Sequence, residues 1–213
     1  MPIITRLQPA PRRSGYFEVE VDHESLGVVS EKDLVRLGLS EQVELDDAQT
    51  AELRMLAGLA EALRLLNRFL AHRPRTTEEV RQRLRRTGLD DEVVAAAIEA
   101  LRTQGLLDDK RFANLWVESR RTFSPRSPRL LQAELRRKGV DRTTIDETLG
   151  SISDEDETNL AIEAGRQRLR RYSTEDKVGF ERSMGAYLGR RGFGYSAVRA
   201  ALESLWTELE SSG

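Results

Sequence analysis

Eight basic side chains lie between Arg111 and Lys138, and they are the residues of this chain best suited to hold a partner: Arg111, Arg120, Arg121, Arg126, Arg129, Arg136, Arg137 and Lys138. Within that stretch only Glu118 and Glu134 oppose them. A guanidinium is a planar fork of donors that fits a phosphate or a carboxylate and stacks on a base. Phe123 stands among Arg120, Arg121 and Arg126, where a ring is available to a stacked base. The same charge suits the acidic surface of a protein partner. It also suits a solvated helix face whose arginines pair with neighbouring helices. Charge alone leaves all three open.

Catalytic chemistry finds little support. His23 and His72 are the only histidines, too few and too far apart for a metal triad. There is no cysteine, which removes disulfides, thiolate metal sites and cysteine nucleophiles and fits a reducing compartment. Ser124 and Ser127 have no histidine near them in sequence. Asp108 and Asp109 follow two leucines and precede a helical pattern, so they read as a helix cap and a first-turn charge rather than an acid–base pair. Gly189 to Gly194 is G-x-x-G-x-G with no strand before it, which is not a dinucleotide loop. The chain is read as a non-enzyme without cofactor or metal.

The elements that position the arginines are legible from a phrase written three times: Leu84-Arg85-Arg86-Thr87-Gly88-Leu89, Leu135-Arg136-Arg137-Lys138-Gly139-Val140 and Leu188-Gly189-Arg190-Arg191-Gly192-Phe193. The second copy starts 51 residues after the first and the third 53 after the second. Each predicts a helix end in which glycine takes the left-handed backbone and the next apolar residue folds back on the leucine. Val94, Ile98 and Leu101 then follow Leu89 at offsets of 5, 9 and 12, as Ile145, Leu149 and Ile152 follow Val140, and Val198, Leu202 and Leu205 follow Phe193. That spacing is one apolar stripe on a following helix, with Asp90, Asp141 and, more weakly, Gly194 at its start.

The preceding helix begins with a Thr76–Glu79 capping box in the first copy and with Ser127 before Pro128 in the second. In the third copy Ser173 or Thr174 is the expected start. Leu65, Trp116 and Leu169, each nineteen residues before the motif leucine, mark an earlier helix. The unit is three helices in about 50 residues, within the range of helical repeats. It is small for an independent core, so neighbouring units are expected to share contacts.

Residues 1–48 differ in kind. Phe17, Val19 and Val21 alternate with polar residues, the pattern of a half-buried strand. Ile3 to Gln8 is a partner strand, Ser30 to Leu37 a short helix ended by Gly38, and Gln42 to Leu45 a third strand. A linker through Asp46, Asp47 and Ala48 leads into a long helix with Leu53, Leu56, Leu59, Leu63 and Leu66 on one side. The expected fold is mostly α. Three tandem three-helix repeats (49–107, 108–153, 154–210) follow a small N-terminal β-rich appendage (1–48).

Charge is uneven. Residues 1–48 carry 5 basic and 10 acidic groups (net −5), 49–110 carry 11 and 10 (+1), 111–150 carry 9 and 5 (+4), and 151–213 carry 9 and 11 (−2). Of 34 basic residues only Lys32, Lys110, Lys138 and Lys177 are lysine, a bias that a GC-rich genome would also produce. With 33% charged residues and a mean hydropathy of −0.53, and without a signal-peptide h-region or a membrane-length apolar run, the expectation is a cytoplasmic protein.

The runs LLDDKRFANLWVESRR and RLLQAELRRKGVDRTTID resemble the middle repeat of the RecX family, modulators of the recombinase RecA. RPRTTEEVRQRLRRTGL resembles that family's first repeat, and the third repeat and the appendage match more loosely. The most specific positions are Asp108, Phe112, Ala113, Trp116, Arg120, Glu134, Leu135, Lys138 and Gly139. Ser127–Pro128 departs from the pattern, where relatives often have glycine. The resemblance implies three repeats in an elongated array and a non-enzymatic protein that binds the RecA nucleoprotein filament in its groove; a monomer is expected. It would limit filament growth and RecA activity in recombination, DNA repair and the SOS response, and would bind single- and double-stranded DNA weakly without sequence preference.

Two other classes compete. One is a stand-alone, sequence-tolerant nucleic-acid binder, since three-helix units can act as helix-turn-helix modules. The helices Asp90–Leu101 and Asp141–Ile152 begin acidic, which disfavours groove insertion. The other is a helical scaffold for an unrelated partner.

Overall fold

The computed structural model describes residues 1–173 and 176–212, of residue 212 the backbone alone. The chain divides into two compact units, Met1–Leu107 and Asp108–Gly213.

In the first unit, β1 (Ile4–Pro9), β2 (Tyr16–Val21) and β3 (Glu24–Ser30) form an antiparallel sheet of order β1-β2-β3. Leu7 lies opposite Val19, and Phe17 opposite Val29. The third strand is therefore Glu24–Ser30, not Gln42–Leu45, whose part in the sheet is a single bridge from Glu44 to Ile3. The β2–β3 turn places both Asp22 (φ 50°) and His23 (φ 67°) in the left-handed region, as the tightest hairpin turn demands. No glycine announces it. Ile3 N–H donates to Asp22 Oδ1 (2.9 Å) and His23 N–H to Thr5 Oγ1 (3.0 Å), so β1 holds the turn in place.

Helix α1 (Glu31–Leu37) is capped by Ser30 and closed by Gly38 at φ 65°. Helix α2 (Asp47–Ala71) starts inside the expected linker, because Asp46 and Gln49 form a capping box. Its Leu53 and Ala57 complete the sheet core with Ile4, Val19, Val29 and Leu45. Its Ala62 and Leu66 enter a second core with α3 (Thr77–Arg85) and α4 (Asp91–Thr103), built on Val80, Leu84, Val94 and Ile98. Thr76 and Glu79 make the expected capping box of α3.

Among the described residues the second unit holds six helices: α5 (Asp109–Phe123), α6 (Pro128–Arg137), α7 (Arg142–Leu149), α8 (Asp154–Leu169), α9 (Lys177–Arg190) and α10 (Tyr195–Ser212). Phe112, Leu131, Leu135 and Ile145 form the core of the first three. Leu160, Phe180, Met184, Leu188, Leu205 and Trp206 form that of the last three. Helix α9 starts at Lys177 with Asp176 as its cap, its carboxylate accepting from Gly179 N–H (2.8 Å). It does not start at Ser173, and Thr174 lies outside the described residues.

The repeated phrase does end α3, α6 and α9. Gly88, Gly139 and Gly192 have φ of 76°, 80° and 87°. Val140 N–H donates to Leu135 O (3.1 Å) and Phe193 N–H to Leu188 O (3.4 Å), closing the caps.

Candidate partner-binding surface on helices α5 and α6

Helix α5 is capped by Asp108, whose carboxylate accepts from Arg111 N–H (2.9 Å), and α6 by the buried Ser127, whose hydroxyl accepts from Leu130 N–H (3.2 Å). These local caps fix the helices that carry the basic stretch. Phe112 and Val117 of α5 face inward, and Leu131 and Leu135 of α6 face them. The last turn of α5 is thereby set beside the middle of α6.

The structure divides the eight basic residues. Arg120 and Arg126 turn onto Glu134, which is 8% exposed: Arg120 Nε donates to Oε2 at 2.9 Å, and Arg126 Nη1 donates to Oε1. Trp116 Nε1–H donates to the same Oε2 (2.8 Å). Arg120 lies over the Trp116 ring at 4.4 Å and Lys138 at 5.2 Å. This polar knot ties α5 to α6. Arg111, Arg121, Arg129, Arg136 and Arg137 are exposed, and among the described residues none of the five forms an ion pair. Phe123, at the end of α5, is 77% exposed, which is unusual for so large an apolar ring.

One further cation belongs to this region. Arg191, in the third copy of the phrase, donates through Nη1 to Ser124 Oγ (3.1 Å) and to Pro125 O (2.9 Å), and its own carbonyl accepts from Ser127 N–H (3.1 Å). The α5–α6 loop is thus held from the next triplet, as small units sharing contacts require. Arg191 could have been found by register, because it stands where Lys138 stands in the middle copy. Burial pushes the Arg126 guanidinium below the usual arginine range, and the neighbouring charges of Arg120 and Arg191 push the same way.

Asp108 and Asp109 serve as cap and first-turn charge. Among the described residues no group of three or more histidine, cysteine, aspartate or glutamate side chains could hold a metal ion, and no helix is long and apolar enough to cross a membrane.

Family models for the first and second three-helix domains of RecX match residues 60–101 and 108–149. The Regulatory protein RecX of Amycolatopsis mediterranei (strain U-32) is 38% identical over 144 residues, covering 66% of this chain and 82% of that protein. This chain belongs to the RecX family. The Regulatory protein RecX of Bacillus subtilis (strain 168) is 28% identical over 205 residues, 96% of this chain and 78% of its own. A crystal structure of regulatory protein RecX superposes with a TM-score of 0.71 at 25% identity, covering 93% of this chain and 98% of that one. The RecX of Lactobacillus salivarius shares the fold, with a TM-score of 0.61 at 20% identity over 70% of this chain and 96% of that one. The matched domains correspond to α2–α4 and α5–α7, two of the three triplets carrying the repeated phrase.

Proposed function

We propose that this chain is a non-catalytic regulator that docks on the RecA–DNA filament in the cytoplasm, as a monomer, and limits filament growth and activity. An appendage (1–48) and three repeats (49–107, 108–153, 154–210) make up the docking protein. The observation that carries the reading is the row of exposed, unpaired arginines on α5 and α6 in a member of a family whose relatives are named regulatory proteins. Arg111, Arg121, Arg129, Arg136 and Arg137 have guanidinium groups free for phosphates or carboxylates. Arg120, Arg126 and Lys138 belong to the same surface but act chiefly by holding it together. Asp91 and Glu92 in the first turn of α4 and the capping Asp141 of α7 argue against base reading, so contact with DNA alone is weak and sequence-tolerant.

The test is RecA-catalysed ATP hydrolysis on single-stranded DNA with the protein titrated in. The parent should suppress hydrolysis, and the variant Arg121→Ala/Arg129→Ala/Arg136→Ala/Arg137→Ala, folded by circular dichroism, should suppress it at least about tenfold less well. Hydrolysis unchanged by the parent would refute the reading. Binding to naked DNA should fall with salt, with a log–log slope of about −5 if six phosphates are contacted. Binding to RecA-coated DNA should be tighter at every salt concentration.

A further inference from the structure

Two guanidinium groups converge on the Glu134 carboxylate at the end of α5 and its following loop, and a third, Arg191 from the end of α9, lies close enough to act on the Arg126 charge. Glu134 has committed its two oxygens to Arg120, Arg126 and Trp116. Arg191 reaches the neutral acceptors Ser124 Oγ and Pro125 O and lies over the Tyr187 ring (4.8 Å), and among the described residues it forms no ion pair. Arg126 Nε is buried and without a hydrogen-bond partner. The Arg120 and Arg126 side chains are only 26% and 31% exposed. Positive charge that is half withdrawn from water and short of acceptors is costly unless an anion completes it. A loop clamp needs Arg191 to reach Ser124 and Pro125, but it does not explain why two more guanidinium groups are gathered on a single carboxylate.

We propose that this cluster is a phosphoryl-binding site, in which Arg120, Arg126 and Arg191 use donors not already engaged to hold one phosphate group. A phosphate offers several acceptor oxygens within one compact anion, the shape that converging guanidinium forks satisfy best. The site deepens the proposed function, and rests on it for the source of the phosphate, since DNA in the filament supplies phosphodiesters. Binding of phosphate itself requires no RecA. The cluster also has a built-in reporter. Trp116 donates its indole N–H to the carboxylate at the cluster's centre, whereas the chain's other tryptophan, Trp206, donates to Glu210.

The experiment follows the two indole N–H resonances of the full chain by nitrogen-15 correlation spectroscopy. Inorganic phosphate is titrated against sodium chloride at matched ionic strength, without RecA. The Trp116 resonance should move saturably with phosphate and not with chloride, while Trp206 stays still. Arg126→Gln and Arg191→Gln, each shown folded by circular dichroism, should weaken phosphate binding by about tenfold, the loss of one charge-assisted bond. Arg191→Lys should recover part of it. If Arg191→Gln does not fold, Arg126→Gln decides, because it leaves the Arg191 contacts to the loop untouched. A thymidine oligonucleotide that competes with phosphate at Trp116 identifies a nucleic-acid backbone as the source. Saturable phosphate binding without such competition keeps the site and assigns it to free phosphate compounds. An unmoved Trp116, or a shift that persists in both folded glutamine variants, overturns the proposal. Failure here is distinguishable from failure in the ATPase assay, where RecA is present and the exposed arginines are the variables.

Discussion

Asp156 shows how a single side chain ties the acid stability of the second unit to helix capping. Its carboxylate accepts from Ser153 N–H (2.9 Å) and from the Ser153 hydroxyl (2.8 Å) at the start of α8. Those bonds hold its pKa below the usual aspartate range, backbone donor first and hydroxyl second, with a smaller contribution from the charge of Arg121. A carboxyl depressed on folding contributes stability above its unfolded pKa and loses it as pH falls through the folded value. Asp156→Asn should therefore lower the urea midpoint at pH 7, and the deficit should shrink at an acid pH low enough to protonate the folded-state carboxyl. Equal deficits at the two pH values would show that the ionised carboxylate is not what stabilises the cap. Caps of this kind were readable in advance at Thr76, Asp108, Ser127 and Asp141, because donor and acceptor lie within three residues of each other. The fate of Arg120 and Arg126 was not. Their common partner Glu134 is 14 and 8 residues away, and it becomes a neighbour only once α5 and α6 pack.

Between elements, the glycine caps separate two demands that look alike in sequence. A Cβ at Gly88 would meet nothing within 4 Å, whereas one at Gly192 would lie 2.5 Å from Ser127 Oγ and 3.0 Å from Leu130 Cβ. Both glycines have positive φ, so alanine at either costs about 1–2 kcal/mol for the left-handed backbone. Gly192→Ala must in addition push α6 away from the end of α9. It should lose at least about 1 kcal/mol more than Gly88→Ala in urea denaturation, by the scale of overpacking penalties. Matching losses would mean that the α9 end does not bear closely on α6. The threefold phrase made all three caps legible, since a helix end is local. The missed strand β3 has a different cause. Gly27, at φ 125° beside Ala57 of α2, and the adjacent Val28 and Val29 break the alternation that reveals a strand. The hairpin turn of Asp22 and His23 carries no glycine, and Gln42–Leu45 looks extended but meets only the start of β1, through the Ile3–Glu44 bridge and the backbone bonds of Ile4 with Val43 O and Gln42 N–H.

At the scale of the molecule, Leu107 closes the core of the first unit and Asp108 caps the first helix of the second, so the division falls between a core residue and a cap. Fragments 1–107 and 108–213 should each show helical circular dichroism and a cooperative thermal transition of their own. A fragment without a transition would mean that its core is completed only by the rest of the chain. The triplets themselves could be read from a 50-residue rhythm. The contacts that close a triplet could not, such as Arg166 Nη2 to Glu208 (2.9 Å), 42 residues apart and joining α8 to α10. Helix α2 spans 25 residues, with its first half built into the sheet core and its second into the helical one. Starting a helix is improbable, with a nucleation constant of about 10⁻³, while lengthening it is nearly free. Whichever core condenses first therefore hands its neighbour a helix already under way. The two cores thus draw their shared helix from one nucleation event in place of two, and amide protons near Gly58, where the two halves of α2 meet, should be among the last in that unit to exchange with solvent.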